Sequence, residues 1–503
     1  GGDPGSGGDP GSGGDPGAGG TPAGPAPQVV IEAPVPGQRF VDEDPVVSGQ
    51  VFNVPPGGDV QAVLDDDEPG SPVSVDGQGL FQHVVRNVPP GEHTVTIVAT
   101  AGGQRGEASI TFRVEAFVHI RNGSFVVGDA PFRFAAVNAR GLLQAAHDFN
   151  AVGGEDRVAE FFRSAKALGI TVVRARAYDD RPNAPSALQT APLQYNEVGL
   201  AALDLMVARA GEAGVKLILP LLDGGDTYGG ITQYLKWGGY LVPVPADRVR
   251  FFIDGPIREH FADHVRHILG RTNAVTGKRY REDAAILGWE LIDAPRTQDT
   301  FGTQTGNELA DFWTLLSGVA KATDPNHLVA TGDVGYDVNP GPYGASGMTL
   351  AQAGFGALFD GSRGAAWQRD LRLGAVDFAT IHVDPAGFGF PANALDWSNL
   401  GAAWIRGHAS LAALEGKPLV VIARLPQSAM PLDGRRDALQ AWFDEAVSLD
   451  IAGVVAGNLY TDPAEWMGDD AAWHFTEDGE ADDRSFQYAD LVQALAAELA
   501  GAR

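Results

Sequence analysis

From about residue 117 onward, short and almost uninterrupted apolar runs alternate with stretches of helical periodicity. The runs are Phe132–Asn138, Ile170–Tyr178, Val215–Leu222, Ala285–Asp293, His327–Gly332, Asp377–Val383, Pro418–Ala423 and Ile451–Tyr460. A strand without a polar face is buried on both sides, which is the mark of a parallel sheet covered by helices. The segment between the first two runs shows such a helix, with Val158, Phe162, Ala165 and Leu168 at helical spacing. Eight β/α units over about 390 residues predict a TIM (β/α)8 barrel with enlarged loops.

The preceding residues follow other rules. Residues 1–27 repeat Gly, Asp, Pro and Ser, a composition that suits a flexible, partly extended linker. Residues 28–116 hold about seven short strand-like segments separated by turn signals such as Pro-Gly at 36–37 and Pro-Pro-Gly at 89–91. Ile110, Phe112 and Val114 alternate with Thr111 and Arg113. This pattern predicts an immunoglobulin-like β-sandwich of the bacterial spacer type, without the cysteine pair of antibody domains. The run Asp65-Asp66-Asp67-Glu68 matches no calcium-loop spacing and reads as a solvated loop. Residues 117–503 form the barrel.

Composition narrows the functional classes. A formal net charge of −28 opposes nucleic-acid binding. No apolar run reaches the eighteen residues of a membrane span. The absence of cysteine excludes disulfides, zinc–thiolate sites and thiol nucleophiles. No cofactor is expected, and a monomer is the default. The sequence opens in Gly-Gly-Asp-Pro, which fits a processed start, and the linker fits a tether. Secretion or an outer-surface location follows as an expectation, with a lipid anchor before Gly1 as one form of it. A polysaccharide or a cell-surface protein is then the expected partner.

In a (β/α)8 barrel the chemistry gathers at the C-terminal strand ends. Those ends and the loops after them supply Asn138, Arg174, Arg176, Asp223, Asp226, Tyr228, Trp237, Asp293, Arg296, Asp333, His382, Asp384, Arg424 and Asn458 as pocket candidates. Charged side chains pointing into a barrel are costly to desolvate without partners, so a purely structural barrel has no need of so many.

The stretches Leu217–Trp237, His264–Arg296, Asp324–Gly332, Asp377–Pro385 and Gly416–Val421 together resemble glycoside hydrolase family 5, in its endo-β-1,4-mannanase branch. The resemblance implies retaining hydrolysis of β-mannan, which needs a nucleophile and an acid/base carboxylate roughly 5–5.5 Å apart. Arg174, His382, Trp289, Glu290, Pro295 and Arg296 match the family pattern. The acid/base position holds Ala294 and the nucleophile position Ala423. Asp293 stands for the family's Asn, Asp384 for its Tyr, Arg424 for an aromatic residue, and Gly457 for the strand-8 Trp. No Glu lies between Gly416 and Asp433, or between Leu291 and Asn307, so a one-residue shift restores neither carboxylate. Glu290 lies four residues before the acid/base position and reads as a buried structural partner. The implied protein is a mannanase-like homologue without its catalytic glutamates, a pseudoenzyme that binds a glycan or a protein. The alternatives are a glycosidase with relocated carboxylates (Asp293 and Asp384, or a metal site adding His382), and a structural scaffold.

Overall fold

The structure, a computed structural model, describes residues 24–55, 58–67, 69–297, 306–391, 393–424, 432–459, 472–473 and 488–501. The chain divides into two compact units, Gly1–Val114 and Glu115–Arg503.

The first unit is a pair of β-sheets. Gln28–Ala33, Val46–Phe52 and Leu80–Val84 form one. Gln38–Val41, Asp59–Leu64, Ser71–Pro72, Gly91–Ala101 and Gln104–Glu115 form the other. Period-two alternation drives the burial: His93, Val95, Ile97 and Ala99 point inward while Thr94, Thr96 and Val98 are half-exposed. Val47, Val95, Ile97 and Phe112 are fully buried in the core. In the acidic run, Asp65 turns to its own sheet, accepting from the Thr94 amide at 2.8 Å and meeting His93 Nδ1 at 2.6 Å. Glu68 lies outside the described residues.

The second unit is the barrel. Its strands are β1 (Phe134–Ala139), β2 (Val172–Ala175), β3 (Lys216–Pro220), β4 (Ile286–Glu290), β5 (Leu328–Ala330), β6 (Ala379–Val383), β7 (Leu419–Ala423) and β8 (Gly453–Leu459). Parallel ladders join them in the circular order β5-β4-β3-β2-β1-β8-β7-β6. Across the remaining seam, the Asp377 amide donates to Val329 O at 2.7 Å and the His382 amide to Val334 O at 2.9 Å. Seven strands fall within the apolar runs, and β1 overruns its own by one residue, Ala139.

Inside the barrel, Phe134, Ala136, Val172, Ile218, Leu328, Val420, Ile422 and Val455 pack on one another. The alternate residues Ala135, Val137, Val173, Leu217, Leu219, Val421 and Val454 pack outward with the helices. One such helix, Arg157–Ala167, starts at Asp156, whose carboxylate accepts from the Ala159 amide at 2.9 Å. It buries Val158, Phe161, Phe162 and Ala165. At the N-terminal end of the strands, Phe125 closes the barrel, its ring 5.9 Å from that of Phe134 and 5.7 Å from that of Phe378. The opposite end is left for the site.

Candidate functional site

The inward alternation of the strands continues past their C-terminal ends and builds a cleft there. After Phe134 and Ala136 come Asn138 and Arg140; after Val172 come Arg174, Arg176 and Tyr178. Arg424 continues Val420 and Ile422, and Gly457 continues Val455. Asp293, His382, Ala423, Leu439 and Tyr488 also line it. The cavity between these groups measures about 40 Å³. At 10–15 Å³ for each water, that is room for roughly three waters.

Arg174 organises the floor. Its Nε donates to both oxygens of Glu290 at 3.0 Å, and its Nη2 to Glu290 Oε2 at 2.6 Å. Its Nη1 reaches Asn138 Oδ1 at 3.1 Å, and Nη2 also reaches Asp293 Oδ1 at 2.8 Å. Tyr178 donates its hydroxyl to Asp293 Oδ2 at 3.2 Å. Both Asp293 oxygens are thus engaged. Burial alone would raise this carboxyl, but the Arg174 guanidinium, with His382 and Arg140, outweighs it and holds Asp293 well below the usual carboxylate range. Asp293 is therefore an anion at neutral pH. Glu290 is fully buried and serves Arg174 as its ion-pair partner.

His382 is 2% exposed, and neither ring nitrogen has a hydrogen-bond partner among the described residues. The nearest carboxylate oxygen, Asp293 Oδ1, is 3.9 Å from Nε2. Burial pushes the imidazole down to about 3; Asp293 opposes this, and Arg174, Arg424 and Arg140 add to it. The ring is neutral near pH 7. Arg176 bonds Arg140 O at 2.9 Å, meets Asp179 at 3.4 Å and lies 4.0 Å from the Tyr228 ring centre. Arg424 Nη1 stands 3.7 Å from Asp384 Oδ2, too far for a hydrogen bond.

Of the sequence candidates, Asn138, Arg174, Arg176, Asp293, His382 and Arg424 line the cleft; Asp223, Asp226, Tyr228, Trp237, Arg296, Asp333 and Asp384 do not. Asp223 holds its own loop, accepting from the amides of Gly225 at 2.7 Å and Tyr228 at 3.0 Å. Asp226 is exposed and takes the Thr232 hydroxyl. Tyr228 backs the cleft as the aromatic surface under Arg176 and Arg181. Trp237 packs on Tyr234 of its own short helix, Gly230–Trp237, and on His260 of the helix Gly255–Leu269, with ring centres 5.2 and 5.5 Å away. Arg296 is exposed, and its carbonyl accepts from Arg248 Nε at 2.8 Å. Asp384 caps the turn Pro385–Phe388, taking the Gly387 amide at 3.0 Å. Asn458 pairs with Asn138 in the β1–β8 ladder, and its side chain lies outside the described residues.

Asp333 is buried just beyond the end of β5, with Thr331 Oγ1 donating to one oxygen at 2.7 Å and no partner on the other among the described residues. Burial raises its carboxyl to about 7 against the Thr331 hydrogen bond, with Asp337 adding to the rise. Ala423 lines the cleft; the Ala294 methyl does not. Among the described residues, no three His, Cys, Asp or Glu side chains gather as a metal site. Arg140, Tyr178, Leu439 and Tyr488 were not among the candidates. The alternation that picked out Asn138 and Arg174 reaches Arg140 and Tyr178 one step further on, whereas no local signal marks Leu439 or Tyr488.

An eight-stranded barrel with a polar cleft at its C-terminal strand ends is the class of fold the structure defines, and comparison with known proteins supplies the family. Residues 115–340 match the model of the glycoside hydrolase family 5 β-mannosidase-like group. The rice (Oryza sativa subsp. japonica) mannan endo-1,4-beta-mannosidase 1 is 30% identical over 319 residues, covering 63% of this chain and 70% of its own length. The rice putative mannan endo-1,4-beta-mannosidase 5 is 34% identical over 308 residues, and the chain spans 60% of its length. The endo-beta-1,4-mannanase of Thermotoga petrophila superimposes with a TM-score of 0.58 at 26% identity, over 74% of this chain and 78% of its own. The endo-1,4-beta-mannanase of Rhizomucor miehei shares the fold, with a TM-score of 0.62 at 22% identity over 76% of this chain and 99% of its own. The chain belongs to glycoside hydrolase family 5, among its mannanase-like members.

Proposed function

We propose that this chain is a non-hydrolysing family member that binds carbohydrate at the strand-end cleft, outside the cell or on its surface. One observation carries the reading. Residues 294 and 423, which correspond by motif to the family's two catalytic glutamates, are alanines, and the one carboxylate that lines the cleft among the described residues, Asp293, is locked by Arg174 and Tyr178. Retaining hydrolysis needs one carboxyl that donates a proton and a second that attacks carbon. Asp293 is held ionised and cannot donate at neutral pH. Asp384 is used as a helix cap, so relocation onto the pair Asp293 and Asp384 gains no support.

The convergent polar groups from β1, β2, β4, β6 and β7 favour ligand binding over an inert block. The narrowness of the cavity favours a structural role as the second reading. Calorimetric titration of the full chain against a panel of neutral and acidic oligosaccharides separates the two. Saturable binding that Asn138→Ala weakens supports the carbohydrate reading; no heat with any sugar leaves the scaffold.

A further inference from the structure

The cleft presents guanidinium groups where the family's reaction calls for carboxylates. Among the described residues, Arg140, Arg174, Arg176 and Arg424 line it against one acid, Asp293, whose two oxygens are already taken. Glu290 and Asp179, the acids paired with Arg174 and Arg176, are fully buried behind the wall. Arg424 is a third exposed, and its contact with Asp384 is longer than a hydrogen bond, so its donors remain available to a ligand. His382 adds a second, independent indication. It is a buried ring facing the cleft, with both nitrogens unbonded among the described residues, and an orphaned polar group of this kind is costly unless a ligand or water meets it.

We propose that the cleft binds the carboxylate of an acidic sugar, a uronate unit, with Arg424 and Arg140 as its guanidinium contacts and a His382 ring nitrogen as a further polar contact. This deepens the carbohydrate-binding reading and rests on it. A carboxylate is planar and matches the guanidinium fork with two parallel hydrogen bonds. Its three atoms also suit a cavity of about 40 Å³, which a whole sugar ring does not. The two alanines matter here as well, because a glutamate at position 423 would place a like charge beside the incoming carboxylate.

The test is titration of the full chain with trigalacturonate, mannotriose and inorganic phosphate, repeated on Arg424→Gln, Arg140→Gln and Ala423→Glu. Thermal melting of each variant confirms that it folds. Trigalacturonate is expected to bind at least roughly tenfold tighter than mannotriose, and to weaken roughly tenfold or more in Arg424→Gln. In Ala423→Glu its binding should disappear. Equal affinity for the neutral trimer, or an unchanged affinity in both arginine variants, overturns the inference and leaves the carbohydrate reading in place. Binding of phosphate without trigalacturonate also overturns it. Failure of both sugars overturns the two proposals together.

Discussion

Ala294 has a φ of +57°, in the left-handed region that costs a residue with a β-carbon roughly 1–2 kcal/mol. Its amide is pinned to Gly332 O at 3.1 Å, and the Gly224 backbone packs so closely on the carbonyls of residues 293 and 294 that a β-carbon there would collide. Strain of this kind persists where the surroundings over-determine the backbone, as at a working site. Ala294→Gly should therefore stabilise the chain by roughly 0.5–1 kcal/mol, the relief of strain exceeding the added freedom of the unfolded chain, as read by urea unfolding. Asp333 supplies a pH signature. Its folded carboxyl titrates at about 7, above its ordinary 3.8, so the folded state holds a proton that the unfolded state has released. Its contribution is complete below about pH 4 and is lost as pH rises through 7. Asp333→Asn, which mimics the protonated acid, should flatten the fall in stability between pH 5 and 8, with a gain of a few kcal/mol at the alkaline end. An unchanged slope in pH-dependent unfolding would refute this assignment.

At the scale of elements, the cleft is a by-product of strand alternation. Apolar residues fill the barrel to a fixed depth, and the next inward positions on β1, β2, β6 and β7 become Asn138, Arg174, His382 and Arg424. The eight strands were legible because burial on both faces leaves an unbroken apolar run, and the inward positions were legible by parity. Contacts between distant segments were not. Asp333, Asp337 and Asp370 influence one another in the interior, yet nothing local in three separate segments announces it. Trp237 is a pocket candidate by its place after a strand end, but its helix packs it on Tyr234 and His260 instead. Arg174 ties β2 to β1 through Asn138 and to β4 through Glu290. Removing it strands the buried Glu290 anion, so Arg174→Ala should cost about 3–5 kcal/mol in denaturant unfolding. Arg174→Lys should recover only part, since an ammonium cannot reproduce the fork.

Over the whole molecule, two units with separate hydrophobic cores share one chain, and only the barrel carries the family likeness. The family's fold surrounds a cleft lined, among the described residues, by four arginines and one carboxylate. Positions 294 and 423 hold methyl groups, the aspartate at 293 is neutralised by an arginine, and a further arginine stands at 424. On the function proposed above, neither general acid–base assistance, worth roughly 10²–10⁴-fold in rate, nor a covalent step has its carboxylate, so hydrolysis is expected to fall below detection. The most direct measurement is release of reducing ends from β-1,4-mannan by the full chain at high protein concentration over days. The expected result is no release above the protein-free blank. Turnover that is abolished in Asp293→Asn would contradict the account, because it would place catalysis on the very carboxylate assigned here to Arg174.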